Sequence, residues 1–277
     1  MKKVFIALIF VWSFAGFISA ESLINAEEKD YKFTLSAESG FVTVISHEIQ
    51  FGLDGTKFDY KKEGNQDVLF PFQRYEAQLR LFDSHGFFFL YQPLEVATKT
   101  KAARDIAVYG VVFPQGTALD LIYSFSFYRA SYVWYFLKDK SNELGIGLSM
   151  QVRNATIVFE AADGSEIEVN QNVGPVPILK INGRYAFENG FWTALDADGF
   201  YASSSFFNGS EFPFEGYIWD VSARAGLELK NGINPFINVR FLGGGGKGTS
   251  KSKDARGDGY TDNRLSTMSV TLGIELR

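Results

Sequence analysis

Apolar and polar residues alternate along most of this chain. Between Tyr217 and Lys230, Tyr217, Trp219, Val221, Ala223, Ala225, Leu227 and Leu229 share one face, and Ile218, Asp220, Ser222, Arg224, Gly226, Glu228 and Lys230 share the other. A period of two is the mark of a strand whose faces meet different surroundings; a helix would scatter those charges around its circumference. The same pattern sets Leu119, Leu121, Tyr123, Phe125 and Phe127 against Asp120, Ser124 and Ser126. Leu144, Ile146, Leu148, Met150 and Val152 stand against Gly145, Gly147, Ser149, Gln151 and Arg153. Met268, Val270, Leu272, Ile274 and Leu276 form a last apolar face, and Phe33, Leu35, Ala37, Phe41, Ile45, Ile49 and Phe51 a first one.

Short turns with glycine (Asp83-Ser84-His85-Gly86, Pro114-Gln115-Gly116, Glu188-Asn189-Gly190, Asn231-Gly232) alternate with longer polar loops at 54–67, 161–175, 203–216 and 243–264. Tight hairpins need such glycines. Counting on this punctuation gives twelve antiparallel strands, at 31–53, 68–82, 87–98, 105–113, 117–127, 130–137, 143–160, 176–187, 191–202, 217–230, 233–242 and 265–277. Ten to fourteen fit the same pattern, because the phase flips near Arg129 and 105–113 alternates poorly. The expected fold is all-β, an antiparallel up-and-down transmembrane β-barrel of one domain.

The first twenty residues read differently. Lys2-Lys3, an apolar run from Val4 to Ile18 and Ser19-Ala20 form the pattern of a cleaved secretory signal peptide, so residues 1–20 are expected to leave and 21–277 to form the barrel. With 27 basic against 32 acidic residues, the chain lacks the basic surplus that nucleic acid demands. It has no Cys, and hence neither a disulfide framework nor a thiolate metal site. Its 28 Phe, 13 Tyr and 4 Trp, diluted to near-zero mean hydropathy, suit a two-faced sheet with aromatic residues at membrane interfaces.

Signal peptide, alternating strands, asymmetric turns and a terminal strand together resemble the bacterial outer-membrane β-barrel superfamily over residues 31–277. The resemblance is architectural and rests on no single motif. It implies an outer-membrane location, contact with outer-membrane lipid and lipopolysaccharide, and insertion by the barrel-assembly machinery. Members usually end in an aromatic residue, whereas this chain ends Glu275-Leu276-Arg277.

Residues in lumen phase are the candidate site. Arg74, Arg80, Arg153, Lys180, Arg184, Arg224 and Arg240 oppose Glu76, Asp120, Asp196, Asp198, Asp220, Glu228 and Glu275, with Glu38 and Glu48 added from the first strand. Near balance predicts mutual pairing rather than the single-sign rings of an ion-selective pore. Reflection through the Glu188-Asn189-Gly190 turn places Lys180 opposite Asp198, and Arg184 within diagonal reach of Asp196. The expected function is a narrow channel or a structural surface protein with a charge-paired lumen. One alternative is a lipid-modifying enzyme with His47, on the phase of Ile45 and Ile49, as base on the lipid face. Another is a soluble periplasmic β-protein that binds an apolar ligand. His85 sits in a turn. Gly243–Ser250 lacks phosphate-loop spacing, Arg256-Gly257-Asp258 is too short a motif to specify adhesion, and Asp254, Asp258 and Asp262 lack the closing Glu of a calcium loop. No cofactor is expected.

Overall fold

The computed structural model describes residues 31–139, 141–206, 213–249 and 258–277. Apart from one 3₁₀ turn at Ser204–Phe206, the described elements are strands: β1 (Tyr31–Phe51), β2 (Phe58–Asp59), β3 (Leu69–Leu81), β4 (His85–Gln92), β5 (Glu95–Lys101), β6 (Ile106–Val108), β7 (Val111–Phe113), β8 (Ala118–Lys138), β9 (Asn142–Ala161), β10 (Ile167–Ala186), β11 (Phe191–Ser203), β12 (Phe214–Leu227), β13 (Ile233–Thr249) and β14 (Tyr260–Leu276). Each long strand pairs with its sequence neighbour, and β14 returns to pair with β1 from Leu35↔Leu276 to Phe51↔Thr261. The sheet is thereby closed. Successive strands β4 and β5 lie end to end along β8 as one wall position, so the barrel has ten positions.

Ten rather than twelve follows from two segments. Residues 105–113 fold as the β6–β7 hairpin, outside the barrel ladder. Residues 117–127 and 130–137 form one uninterrupted strand, β8, with no turn at Arg129. The phase flip there has another cause. In β8, Tyr128, Ala130, Tyr132, Trp134 and Phe136 point outward and are exposed, while Leu119, Leu121, Tyr123 and Phe127 point inward and are buried. Apolar side chains are outside at one end of the strand and inside at the other. β9 does the same: Ile146, Leu148, Met150 and Val152 are outside, whereas Ala155, Ile157, Phe159 and Ala161 are inside. A barrel wall that passes from lipid into water must invert its polarity at the boundary.

The two ends of the barrel differ accordingly. The turn end carries the short connections at 82–84, 187–190 and 228–232 and both outer strand termini; the loop end carries the longer ones. Above the turn end runs an exposed apolar belt that includes Leu148, Leu179, Leu195, Val221, Val239 and Leu272. Aromatic residues border it. On the loop side Tyr75, Tyr91 and Tyr128 stack at 6.4 and 4.7 Å, and Trp219 stacks on Phe241 at 4.2 Å. On the turn side stand Trp134, Phe136, Tyr185 and Phe187. An exposed apolar belt between aromatic girdles is the reverse of a soluble sandwich, whose outer face meets water.

Beyond the belt, the loop end is filled by a hydrophobic core. Val42, Val44, Phe70 and Phe72 from the wall pack with Phe58, Tyr60, Ile106, Val108 and Phe113 from the inserted segments. The wall between β3 and β5 is open at this level, and the β2 segment covers it: Asn65 Nδ2 donates to the Lys99 carbonyl at 2.7 Å, and Thr100 Oγ1 to the Glu63 carbonyl at 2.8 Å.

Candidate functional site: the barrel interior

Inward residues within the belt are polar because alternate positions of every strand face a space only ten strands wide. Asp220 on β12 lies at its centre. Its carboxylate is 2.7 Å from Arg240 on β13, 3.1 Å from Arg129 on β8 and 3.7 Å from Arg74 on β3. β8 and β3 are each four wall positions from β12, on opposite sides. These contacts therefore cross the lumen. Arg129 also reaches Asp198 at 3.0 Å and forks onto Gln151 Oε1. Arg74 adds Glu76 at 3.5 Å and Gln92 at 3.1 Å. Glu38 accepts from Asn238 and Thr271 at 2.7 and 2.8 Å and lies 3.9 Å from Arg240.

A second layer sits nearer the turn end. Lys180 pairs with Asp198 at 3.1 Å and Asp196 at 3.2 Å, and the ladder sets Lys180 directly opposite Asp198, as the hairpin reflection predicts. Arg224 reaches Asp196 at 2.6 Å. Arg184 departs from expectation. It binds Glu228 at 2.8 Å and Glu275 at 3.3 Å across the barrel, leaving Asp196 to Lys180 and Arg224. Its guanidinium lies 3.9 Å over the Trp192 ring, which covers Gly226, and this aromatic contact draws it toward the rim. Arg277 joins the same rim through Glu228 and Glu275. Arg80 stacks 3.3 Å over Tyr135 and pairs with Glu143.

Three residues assigned to the lumen charge network do not take part in it. Asp120 points outward at the loop end and pairs with Lys99 at 2.8 Å, because the polarity of β8 has inverted there. Glu48 follows a bulge between Val44 and Ser46, pointing away from the interior to meet Lys57 at 2.7 Å. Arg153 is inward but has no carboxylate within 4 Å among the described residues; it lies 6.0 Å over Phe125. Arg129 is the residue missed by the strand count. Its inward parity with Phe127 and Ser131 was the available signal, obscured by the flip.

The same bulge relocates His47. Instead of facing lipid with Ile45, it is buried in the loop-end core beyond the belt, together with Ile49. Its Nδ1 is 2.7 Å from Gln66 Oε1, its ring stacks on Tyr60 at 4.2 Å, and Tyr123 meets it edge-on at 4.2 Å. Burial pushes its pKa down to about 4, against the opposing effects of the Gln66 hydrogen bond and the Asp59 charge. Among the described residues its hydrogen-bond partner is Gln66, and no serine hydroxyl adjoins it. Of the acidic loop, Asp254 and Arg256-Gly257 lie outside the described residues. Asp258 accepts from the Leu53 and Tyr260 amides, and Asp262 pairs with Arg264 at 3.3 Å, so these two carboxylates do not converge.

A cavity of about 760 Å³ lies beside the core at the loop end, lined from β8 to β14. Arg153, Gln151 and Asn263 supply polar groups, and Tyr123, Phe125, Ile218 and Leu242 apolar ones. Its described lining holds no His or Asp, and Glu215 as its carboxylate. No nucleophile–base pair is assembled there among the described residues.

No family model and no curated protein matches the chain. Among solved structures it is similar to the outer membrane protease OmpT from Escherichia coli, with a TM-score of 0.50 at 10% identity over 93% of this chain and 99% of that one. The chain has the fold of the bacterial outer-membrane β-barrels. Two other solved structures are more loosely similar. The outer membrane protein OprG from Pseudomonas aeruginosa gives 0.35 at 12% identity, over 88% of this chain and 96% of that one. A FadL homologue from the same organism gives 0.37 at 6%, over 94% and 92%. At these identities the likeness concerns the fold of an outer-membrane barrel and not its chemistry.

Proposed function

We propose that this chain is an exported outer-membrane surface protein whose barrel is shut along its axis, rather than an open solute channel. Its turn end would face the periplasm, its loop end the exterior, and its apolar belt outer-membrane lipid and lipopolysaccharide, with insertion by the barrel-assembly machinery. The carrying observation is Asp220, which receives Arg240 from the neighbouring strand and Arg74 and Arg129 from across the lumen. In a narrow, partly dehydrated lumen such pairs are held by their mutual charge, since separating them leaves a buried ion unpaired. The loop-end core supports the same reading by filling the barrel above the ions. The charge-paired lumen is thus a structural plug, and a narrow channel would require it to rearrange.

Planar-bilayer recording tests this. The intact protein is expected to show little or no steady conductance, and Asp220→Ala, by removing the carboxylate that three guanidinium groups share, to produce transient anion-favouring openings. Steady porin-like current from the unmodified protein, unchanged in Asp220→Ala, would overturn the plug and favour the channel.

A further inference from the structure

The β10–β11 ladder runs only from Ala186↔Trp192 to Leu179↔Gly199. Toward the loop end from there, β10 pairs with β9 alone as far as Ile167, and β11 with β12 alone as far as Ser203. The wall has a seam. Pro175 and Pro177 stand on the β10 side of it, and proline, which has no N–H to give, belongs at an unpaired sheet edge. The 760 Å³ cavity lies behind this seam, lined by Val176 and Pro177 from one lip and Phe200 and Ala202 from the other. The seam begins at the outer margin of the apolar belt, where Tyr201 and Tyr217 lie exposed beside it.

Glycines keep the cavity empty. On β13, alternation after Leu242 places Gly244 and Gly246 on the inner face, and a Cβ on Gly246 would meet nothing within 4 Å. Among the described lining residues the buried polar atoms without a partner are two donors, on Gln151 and Arg153, and one acceptor, Asn263 Oδ1. Gln151 is fully buried; its Oε1 is taken by Arg129, while its Nε2 has no partner. Arg153 Nε is likewise buried without one, and Arg153 is the cation left out of the plug. A buried donor without an acceptor is costly, and two on neighbouring inward positions, one of them on a guanidinium with no carboxylate beside it, suit an anionic acceptor group. The remaining lining, including Phe125, Phe200, Ile218 and Leu242, suits an apolar chain.

We infer that this cavity is a lateral binding site for an amphiphile with an anionic head and an apolar chain, entered from the membrane through the β10–β11 seam, with Arg153 and Gln151 holding the head. The inference rests on the membrane placement proposed above and is independent of whether the axis conducts. Two sources share that chemistry: a free single-chain carboxylate and an anionic phospholipid.

The test uses full-length protein in zwitterionic phosphatidylcholine nanodiscs, with energy transfer from its tryptophans to a fluorescent polyene. The probes are the C18 polyene carboxylate, its neutral alcohol, and phosphatidylglycerol carrying the same chain. Saturable binding of either anion is expected, and which one binds identifies the source. Arg153→Gln should weaken anion binding at least tenfold and leave the alcohol unchanged. Gly246→Phe should abolish binding, with Val176→Trp filling the cavity from the opposite wall should the first variant fail to show heat-modifiable migration. No saturable binding of either anion, or equal binding by Arg153→Gln, overturns the site. The chain contains no Cys, so Val176→Cys with Ala202→Cys gives a unique bridge for a bifunctional maleimide. Bridging should slow entry at least tenfold; an unchanged rate overturns the lateral route.

Discussion

Single residues in this barrel differ in importance by what they would leave behind. Asp220 is almost fully buried and shared by three guanidinium groups, so Asp220→Ala takes a carboxylate from all three and leaves Arg240, whose other carboxylate Glu38 lies 3.9 Å away, the most poorly paired. Breaking a buried pair costs about 3–5 kcal/mol. Denaturant titration of folded protein should show a loss of that size. Asp120→Ala removes an exposed partner of Lys99 and should cost less than about 1 kcal/mol. His47 behaves oppositely to a paired acid. Packed neutral against Tyr60, it resists protonation until pH falls to about 4, whereas an unfolded histidine takes up its proton near 6.5. The unfolded state therefore binds more protons between those values, and stability is full above 6.5 and declines as pH falls through the window. The decline amounts to about 3 kcal/mol by linkage. The protection factors of the Tyr60 and Gln66 amides, which correct for the intrinsic slowing of exchange in acid, should fall from pH 7 to 4.5 in the intact protein, and His47→Phe should remove that pH dependence.

For strands, alternation was legible in the sequence and its sense was not. The face of Val221 and Leu227 was readable because the whole of β12 from Trp219 downward lies in the belt, where apolar means outside. Val221→Arg should impair assembly by about 2–4 kcal/mol if it lies near the bilayer midplane, while Ser222→Ala on the lumen face is tolerated. Gel migration with and without heating measures the folded fraction; equal yields for the two variants would contradict the assignment. Leu119, Leu121 and Tyr123 follow the same period with the opposite meaning, because their stretch of β8 stands clear of the belt. Period two records that two faces differ, not which one meets lipid. Similarly, Lys180↔Asp198 followed from a short hairpin, where register is a local matter. Arg129–Asp220 and Arg184–Glu275 join strands four wall positions apart, and no local pattern encodes such distances. The bulge after Val44 moved His47 indoors, and one extra residue in a strand leaves no compositional trace.

At the scale of the whole molecule, the barrel is two compartments sharing one wall: an ionic one within the belt and an oily one beyond it. On the membrane placement proposed above, the inversion of polarity between them would fix how deep the protein sits, since sliding along the bilayer normal would bring either Glu95 and Lys99 into lipid or Leu272 into water. The closure of β14 upon β1 has a further consequence, for the order of assembly. Glu38 takes hydrogen bonds from Asn238 and Thr271, partners emerging some two hundred residues later in synthesis. Contacts of such sequence separation form slowly. The wall's seal at that point belongs to geometry and not to chain order, because Leu35 and Leu276 are already neighbours. A circular permutant that joins the start of β1 to the end of β14 and opens between Asp163 and Gly164 should therefore assemble to the same heat-modifiable form. It would do so at a different rate, since the closing event then falls between β9 and β10.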